Sequence, residues 1–136
     1  MAGQNDYRVE RTRLCGGTIG EFKVVKGAAD GKIEQATAAT EQSVCGVAQV
    51  SGVATDNIRV VTFGVTTAIA GAALDSTNAA DYNLMVDAQG RLVTASAAGP
   101  GTEFVIAQWM PSETQPTAAT GDQITVMFAG TIGHRA

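Results

Sequence analysis

Gly31-Lys32-Ile33-Glu34-Gln35-Ala36-Thr37 returns later in the chain as Gly90-Arg91-Leu92-Val93-Thr94-Ala95-Ser96, an offset of 59 (90 minus 31). Glycine, a basic residue, an apolar residue, then alanine and a hydroxyl fall in register. The same offset carries Val47-Ala48-Gln49 onto Ile106-Ala107-Gln108. An offset of 66 carries Asp56-Asn57-Ile58-Arg59-Val60 onto Asp122-Gln123-Ile124-Thr125-Val126, and Gly64 onto Gly130. Self-similarity at a fixed spacing marks two copies of one supersecondary unit. The change of offset, 66 minus 59, predicts a seven-residue insertion in the second copy. It is placed within 111–121, where Pro111, Pro116 and the absence of apolar alternation read as a surface loop.

The matched segments alternate or run in short apolar blocks rich in β-branched residues, which is the periodicity of strands. The expected strands are Glu21 to Lys26, Lys32 to Thr37, Ser43 to Val50, Asn57 to Thr67, Tyr82 to Val86, Arg91 to Ser96, Glu103 to Met110 and Gln123 to Ile132. Asp30-Gly31 and Gln89-Gly90 sit between apolar runs, where glycine supplies the positive φ of a primed hairpin turn. Residues 70–80 join the halves as a single helical turn or an irregular connection. Residues 1–19 alternate poorly and match nothing in the second half, so they read as an N-terminal arm, disordered or ordered on a neighbouring subunit. Residues 20–136 form the body, with halves at about 20–69 and 80–133. The predicted fold is all-β, a small barrel or sandwich with an internal pseudo-twofold repeat.

A chain of 136 residues is one ordinary domain. Hydrophobic residues make up 45% but aromatics 5%, so the core is built from Val, Ile, Ala and Leu. A net charge of -4 with 16% charged residues argues against a nucleic-acid binder. The polar start, with Arg8, Glu10, Arg11 and Arg13, has neither the apolar segment of a secretion signal nor a membrane span, and synthesis in the cytosol is expected. Cys15 and Cys45 read as two reduced small hydrophobes rather than a disulfide framework.

No catalytic pattern emerges. His134 lies two residues from the end, no set of Cys, His and carboxylates has metal-ligand spacing, and Cys15-Gly16-Gly17-Thr18-Ile19-Gly20 is neither a phosphate loop nor a dinucleotide fingerprint. Asp56 and Asp122 recur in both halves, each in a turn before an apolar strand, where the side chain bonds nearby backbone N–H groups. Gln49 and Gln108 are expected to bond backbone at a sheet edge, and Trp109, in the place of Val50 by this register, to be core or a subunit contact. The reading is a binding protein, not an enzyme, with no cofactor and no metal.

The run Ala29-Asp30-Gly31-Lys32-Ile33, the strand Gly46-Val47-Ala48-Gln49, the segment Arg59-Val60-Val61-Thr62-Phe63-Gly64 and then Asp87-Ala88-Gln89-Gly90-Arg91-Leu92, in that order, resemble the capsid cement, or head decoration, proteins of tailed bacteriophages. The resemblance covers roughly Gly20 to Gly133. It implies a β-tulip-like or small barrel body, an extended N-terminal arm, and homotrimers on the outer surface of an icosahedral head. It implies a mechanical role, clamping adjacent major capsid subunits of the expanded, DNA-filled shell. The partners are then the major capsid protein and other copies of the chain, with no direct nucleic acid and no membrane. Tyr7, Val9, Leu14 and Ile19, isolated apolar residues in a polar leader, are expected arm contacts, with Trp109 as a further contact. Two other readings stand beside this: a tail-tube or spike-base subunit, and a sugar-binding β-domain using Trp109, Tyr82 and Asp87.

Overall fold

A computed structural model describes residues 8–40, 42–95 and 104–130, with the backbone of 134–135. Its strands are β1 (Arg8–Leu14), β2 (Val24–Gly27), β3 (Ile33–Gln35), β4 (Val44–Ala48), β5 (Asn57–Ile69), β6 (Leu74–Asp75), β7 (Asn83–Val86), β8 (Leu92–Thr94), β9 (Phe104–Val105), β10 (Ala107–Trp109), β11 (Thr117–Ala118), β12 (Gln123–Phe128) and β13 (His134–Arg135). Nine of them make one sheet in the order β3-β2-β4-β5-β12-β10-β7-β8, with β1 paired to β5. The sheet curls strongly into a half-barrel, so the protein is all-β with a barrel-like body.

The repeat is written into the hydrogen bonds. β7 and β8 are β2 and β3 displaced by 59 residues, to the residue (24 to 83, 33 to 92). Gly16 N–H donates to the Ile33 carbonyl at 2.7 Å, and Gly71 N–H to the Leu92 carbonyl at 2.7 Å. Cys15 N–H reaches the Asp56 carbonyl at 2.8 Å, as Ala70 N–H reaches that of Asp122 at 2.8 Å. Leu14 lies opposite Asn57, and Ile69 lies opposite Gln123. The leader therefore has a counterpart: β1 corresponds to the C-terminal part of β5, at an offset of 55 (69 minus 14). β5, 13 residues long, serves twice, as the last strand of the first half and the first strand of the second. Each half is a ring of five strands, closed by a parallel bridge, Cys15 to Ile33 in one and Ala70 to Leu92 in the other.

The leader was expected to lie apart from the body, and its described part differs. Arg8–Leu14 runs antiparallel along β5 from Gly64 to Asn57, and the chain beyond it enters the core at Cys15 and Ile19. Strand pairing satisfies the backbone polar groups of a segment whose side chains are mostly charged. Hydrophobic alternation is absent because the strand buries little on either face.

Two registers also shift. Val47 and Ala48 face Val61 and Val60, while Gln108 and Trp109 face Met127 and Val126. Trp109 thus occupies the place of Ala48, not of Val50, at an offset of 61. The insertion is divided accordingly, two residues before β10 (61 minus 59) and five between β10 and β12 (66 minus 61). The long 111–121 loop is mostly exposed, but its β11 pairs with β6 of the connection between halves. The turns differ as well. Asp30 and Gly31 both have positive φ, 63° and 74°, as a primed turn requires, whereas before β8 only Gly90 does, at 73°. There the Asp87 carboxylate takes over, accepting from the N–H groups of Gln89 and Arg91 at 2.8 Å each.

Each ring has its own interior. Cys15, Ile19, Val25, Ile33, Ala48, Ile58 and Val60 form one buried cluster. Their counterparts Ala70, Leu74, Leu84, Leu92, Trp109, Ile124 and Val126 all belong to the other. The second cluster also takes in Val24, Ala36, Val44 and Val47 from the outside of the first half, so the halves are packed into one body. Each valine fully removed from water there contributes about 1.5–3 kcal/mol.

Candidate interaction surface

Strand alternation gives each ring an inner and an outer side. On the first half, Val24, Val47 and Val61 point outward and are nonetheless 0% exposed, and Val24 and Val47 belong to the core cluster of the second half. Backbone and side chains seal the joint. Val24 N–H donates to the Gly90 carbonyl at 2.8 Å, and Lys23 Nζ and Gln35 Nε2 both donate to the Gln89 carbonyl at 3.1 Å. Gln49, buried, donates to Thr66 Oγ1 at 2.9 Å. On the second half the corresponding positions are Asn83, Gln108 and Met127. Asn83 and Gln108 are exposed and Met127 is half-buried. With Val105 and Ala129 they line an open groove of about 240 Å³.

A second surface feature lies on the leader. Val9 and Phe63 are directly opposed across β1 and β5 and are 48% and 50% exposed. Around them Glu10 pairs with Arg8 at 2.6 Å and with Arg59 at 3.4 Å. Arg13 donates to the Gly31 carbonyl at 3.3 Å. Burial pushes the Cys45 thiol up in pKa, and the guanidinium of Arg13 opposes that shift by charge and hydrogen bond. Burial also raises the Cys15 thiol, with the Asp56 carboxylate adding to the effect. Both cysteines are free.

The expected contact residues separate into three groups. Val9 is exposed and Leu14 half-buried. Ile19 is fully buried, tied to Gly52 by N–H to carbonyl bonds of 2.8 and 2.9 Å in both directions, and so is core rather than an arm contact. Trp109, 1% exposed, is likewise interior, its ring 5.9 Å from that of Tyr82. Tyr7 lies outside the described residues. Phe63, Asn83 and Met127 escaped the sequence reading, which singled out Gln108 only as a sheet-edge glutamine. The groove's signal is the replacement of three outward valines by Asn, Gln and Met, visible once the register of β10 is corrected.

The sugar-binding trio does not assemble. Trp109 offers no open face, and Asp87 Oδ2 is held by Arg91 Nε at 2.8 Å within the turn. Asp56 and Asp122 act as the sequence reading has it, accepting the N–H groups of Val53 at 2.9 Å and Ala119 at 2.8 Å. Among the described residues no three His, Cys, Asp or Glu side chains are grouped to hold a metal ion.

Neither a protein-family model nor a curated protein matches the sequence. Among solved structures, the chain is similar to the N base of the head fiber protein gp8.5 of bacteriophage phi29. The match has a TM-score of 0.61 at 17% identity and covers 94% of this chain and 100% of that one. At that identity the likeness is one of fold.

Proposed function

We propose that this protein is a structural component of a bacteriophage virion that sits on the outside of the head and clamps adjacent major capsid subunits. The observation that supports the reading is the likeness in fold to a head fiber base over nearly the whole of both chains. The head setting of that protein favours the head over a tail-tube or spike-base position. The architecture suits a mechanical part, because two closed rings are joined through one strand. The role needs no catalytic residue and no cofactor.

Clamping asks for surface, not for a deep site. The Val9 and Phe63 pair gives an exposed apolar patch across β1 and β5, two strands that also carry the Arg8, Glu10 and Arg59 ion pairs. Weak contacts at many copies add through multivalency. Cryo-electron microscopy of virions, with quantification against the major capsid protein, tests the proposal. Density outside the head at capsid-scale copy number is expected, with occupancy lost in a Val9→Asp, Phe63→Asp variant. A few copies per particle, or a position on the tail, overturns it.

A further inference from the structure

The two halves meet through different faces. The first half presents its outward valines, and the second covers them with Val86, Gly90 and Phe128, all buried. Each face has a counterpart on the other half that the described chain leaves open or half-open: Gly31, Asn83 and Gln108 are exposed, and Gly27, Thr62 and Met127 are half-buried. The covering residues correspond to Gly27, Gly31 and Thr62 of the first half, where Gly31 is exposed although its φ of 74° matches the 73° of buried Gly90. The covered valines correspond to the open groove at Asn83, Gln108 and Met127.

A contact between unlike faces, with one unsatisfied copy of each face left at opposite ends, is heterologous and continues from molecule to molecule. We infer that copies of this chain associate head to tail, the Gly27, Gly31 and Thr62 face of one seated in the Asn83, Gln108 and Met127 groove of the next. The intermolecular joint repeats the one already made inside each chain. The end of β12 at Phe128 then meets the start of the neighbour's β1, as the two parts of β5 meet at Gly64, which is opposite both Arg8 and Phe128.

Charge favours the same pairing. Seven of the nine Lys and Arg residues lie within 8–59, whereas 65–136 carries two cations and six acids. Two acidic second halves repel each other, whereas a near-neutral first half meets an acidic second half without that repulsion. The polar Asn83 and Gln108 and the flexible Met127 suit a joint that is exposed before assembly, where valines would be a liability.

The inference rests on how the halves pack, not on the head proposal, and purified protein tests it without a virion. Sedimentation equilibrium on wild type is expected to show self-association beyond the monomer. Thr62→Glu spoils one face and Met127→Arg the other; each alone is expected to be monomeric with an unchanged circular dichroism spectrum. Mixed in equal amounts, the two variants retain one good face each of opposite kind and are expected to form a dimer and nothing larger. A monomeric wild type, an oligomer persisting in either variant, or a mixture that stays monomeric overturns the inference.

Discussion

Thr55 and Gly121 occupy the same turn position in the two halves, with φ of 74° and 93°. Their N–H groups bond the carbonyls of the corresponding residues Cys15 and Ala70, at 2.9 and 2.7 Å. A residue with a branched β carbon is strained there by about 1–2 kcal/mol, and glycine is not. Thr55→Gly is expected to stabilise the protein by about 0.5–1 kcal/mol, after the entropy glycine loses on folding. Gly121→Thr, with open space around its Cβ, is expected to cost about 1–2 kcal/mol from backbone strain alone. Urea unfolding of the two variants checks both signs.

Gly46 lies where β4 crosses β5. A Cβ there would overlap Val60 Cγ1 and stand 2.8 Å from the Val61 carbonyl oxygen. The obstacle is partly backbone and cannot rotate away. Gly46→Ala is therefore expected to destabilise by about 3 kcal/mol. Its counterpart in the second half is Ala107, facing Phe128 in β12, so the reverse change Ala107→Gly is expected to cost less. Thermal unfolding of the pair measures the difference.

Asp56→Ala and Asp122→Ala each remove a carboxylate that accepts the N–H three residues earlier. A loss of about 1 kcal/mol each is expected. The two turns belong to different rings and share no partner, so the double variant is expected to show the sum. A clear departure from additivity in chemical denaturation would mean that the rings communicate through these turns.

Trp109 Nε1 is buried with no hydrogen-bond partner. An orphaned buried donor costs about 1–3 kcal/mol. Trp109→Phe relieves that cost while keeping most of the ring, and its effect is expected to stay within about 1 kcal/mol of zero. Trp109→Ala empties the second ring and is expected to cost about 3–5 kcal/mol. Unfolding followed by circular dichroism separates the two.

Thr77 holds the Asp75 carboxyl below its ordinary pKa by donating its N–H and its hydroxyl, each at 2.9 Å. A depressed folded-state pKa stabilises above the unfolded value and is lost as pH falls through the folded one. Thr77→Val keeps the N–H bond and loses the hydroxyl bond, so a lower Tm than wild type is expected at pH 6, the gap narrowing as pH falls below the ordinary carboxylate range.

Glycine spacing made the hairpins legible: the offset of 59 places β2, β3, β7 and β8 correctly because their turns and apolar residues recur together. The Ala-Gln pair at 48–49 and 107–108 misled the reading. The expected register was off by two residues, a shift that keeps every side chain on its face, and pairing with β12 puts Trp109 in the place of Ala48. β1 was hidden for a different reason. Its charged residues lie on both faces, so no period marks it; its one trace is Leu14-Cys15-Gly16 and Ile19 set against Ile69-Ala70-Gly71 and Leu74. The outer groove is legible only through Asn83, Gln108 and Met127 in the places of three valines, a pattern that the uncorrected register of β10 conceals.

The strand shared by both rings leaves no hinge at which the molecule divides. Its residues 57–64 pair with β1 and β4 and its residues 64–69 with β12, so the two rings are joined at Gly64 inside one unbroken strand. A load passed from one ring to the other runs along that strand and is resisted by rows of hydrogen bonds on both sides of Gly64. The two rings therefore fail as one piece or hold as one piece.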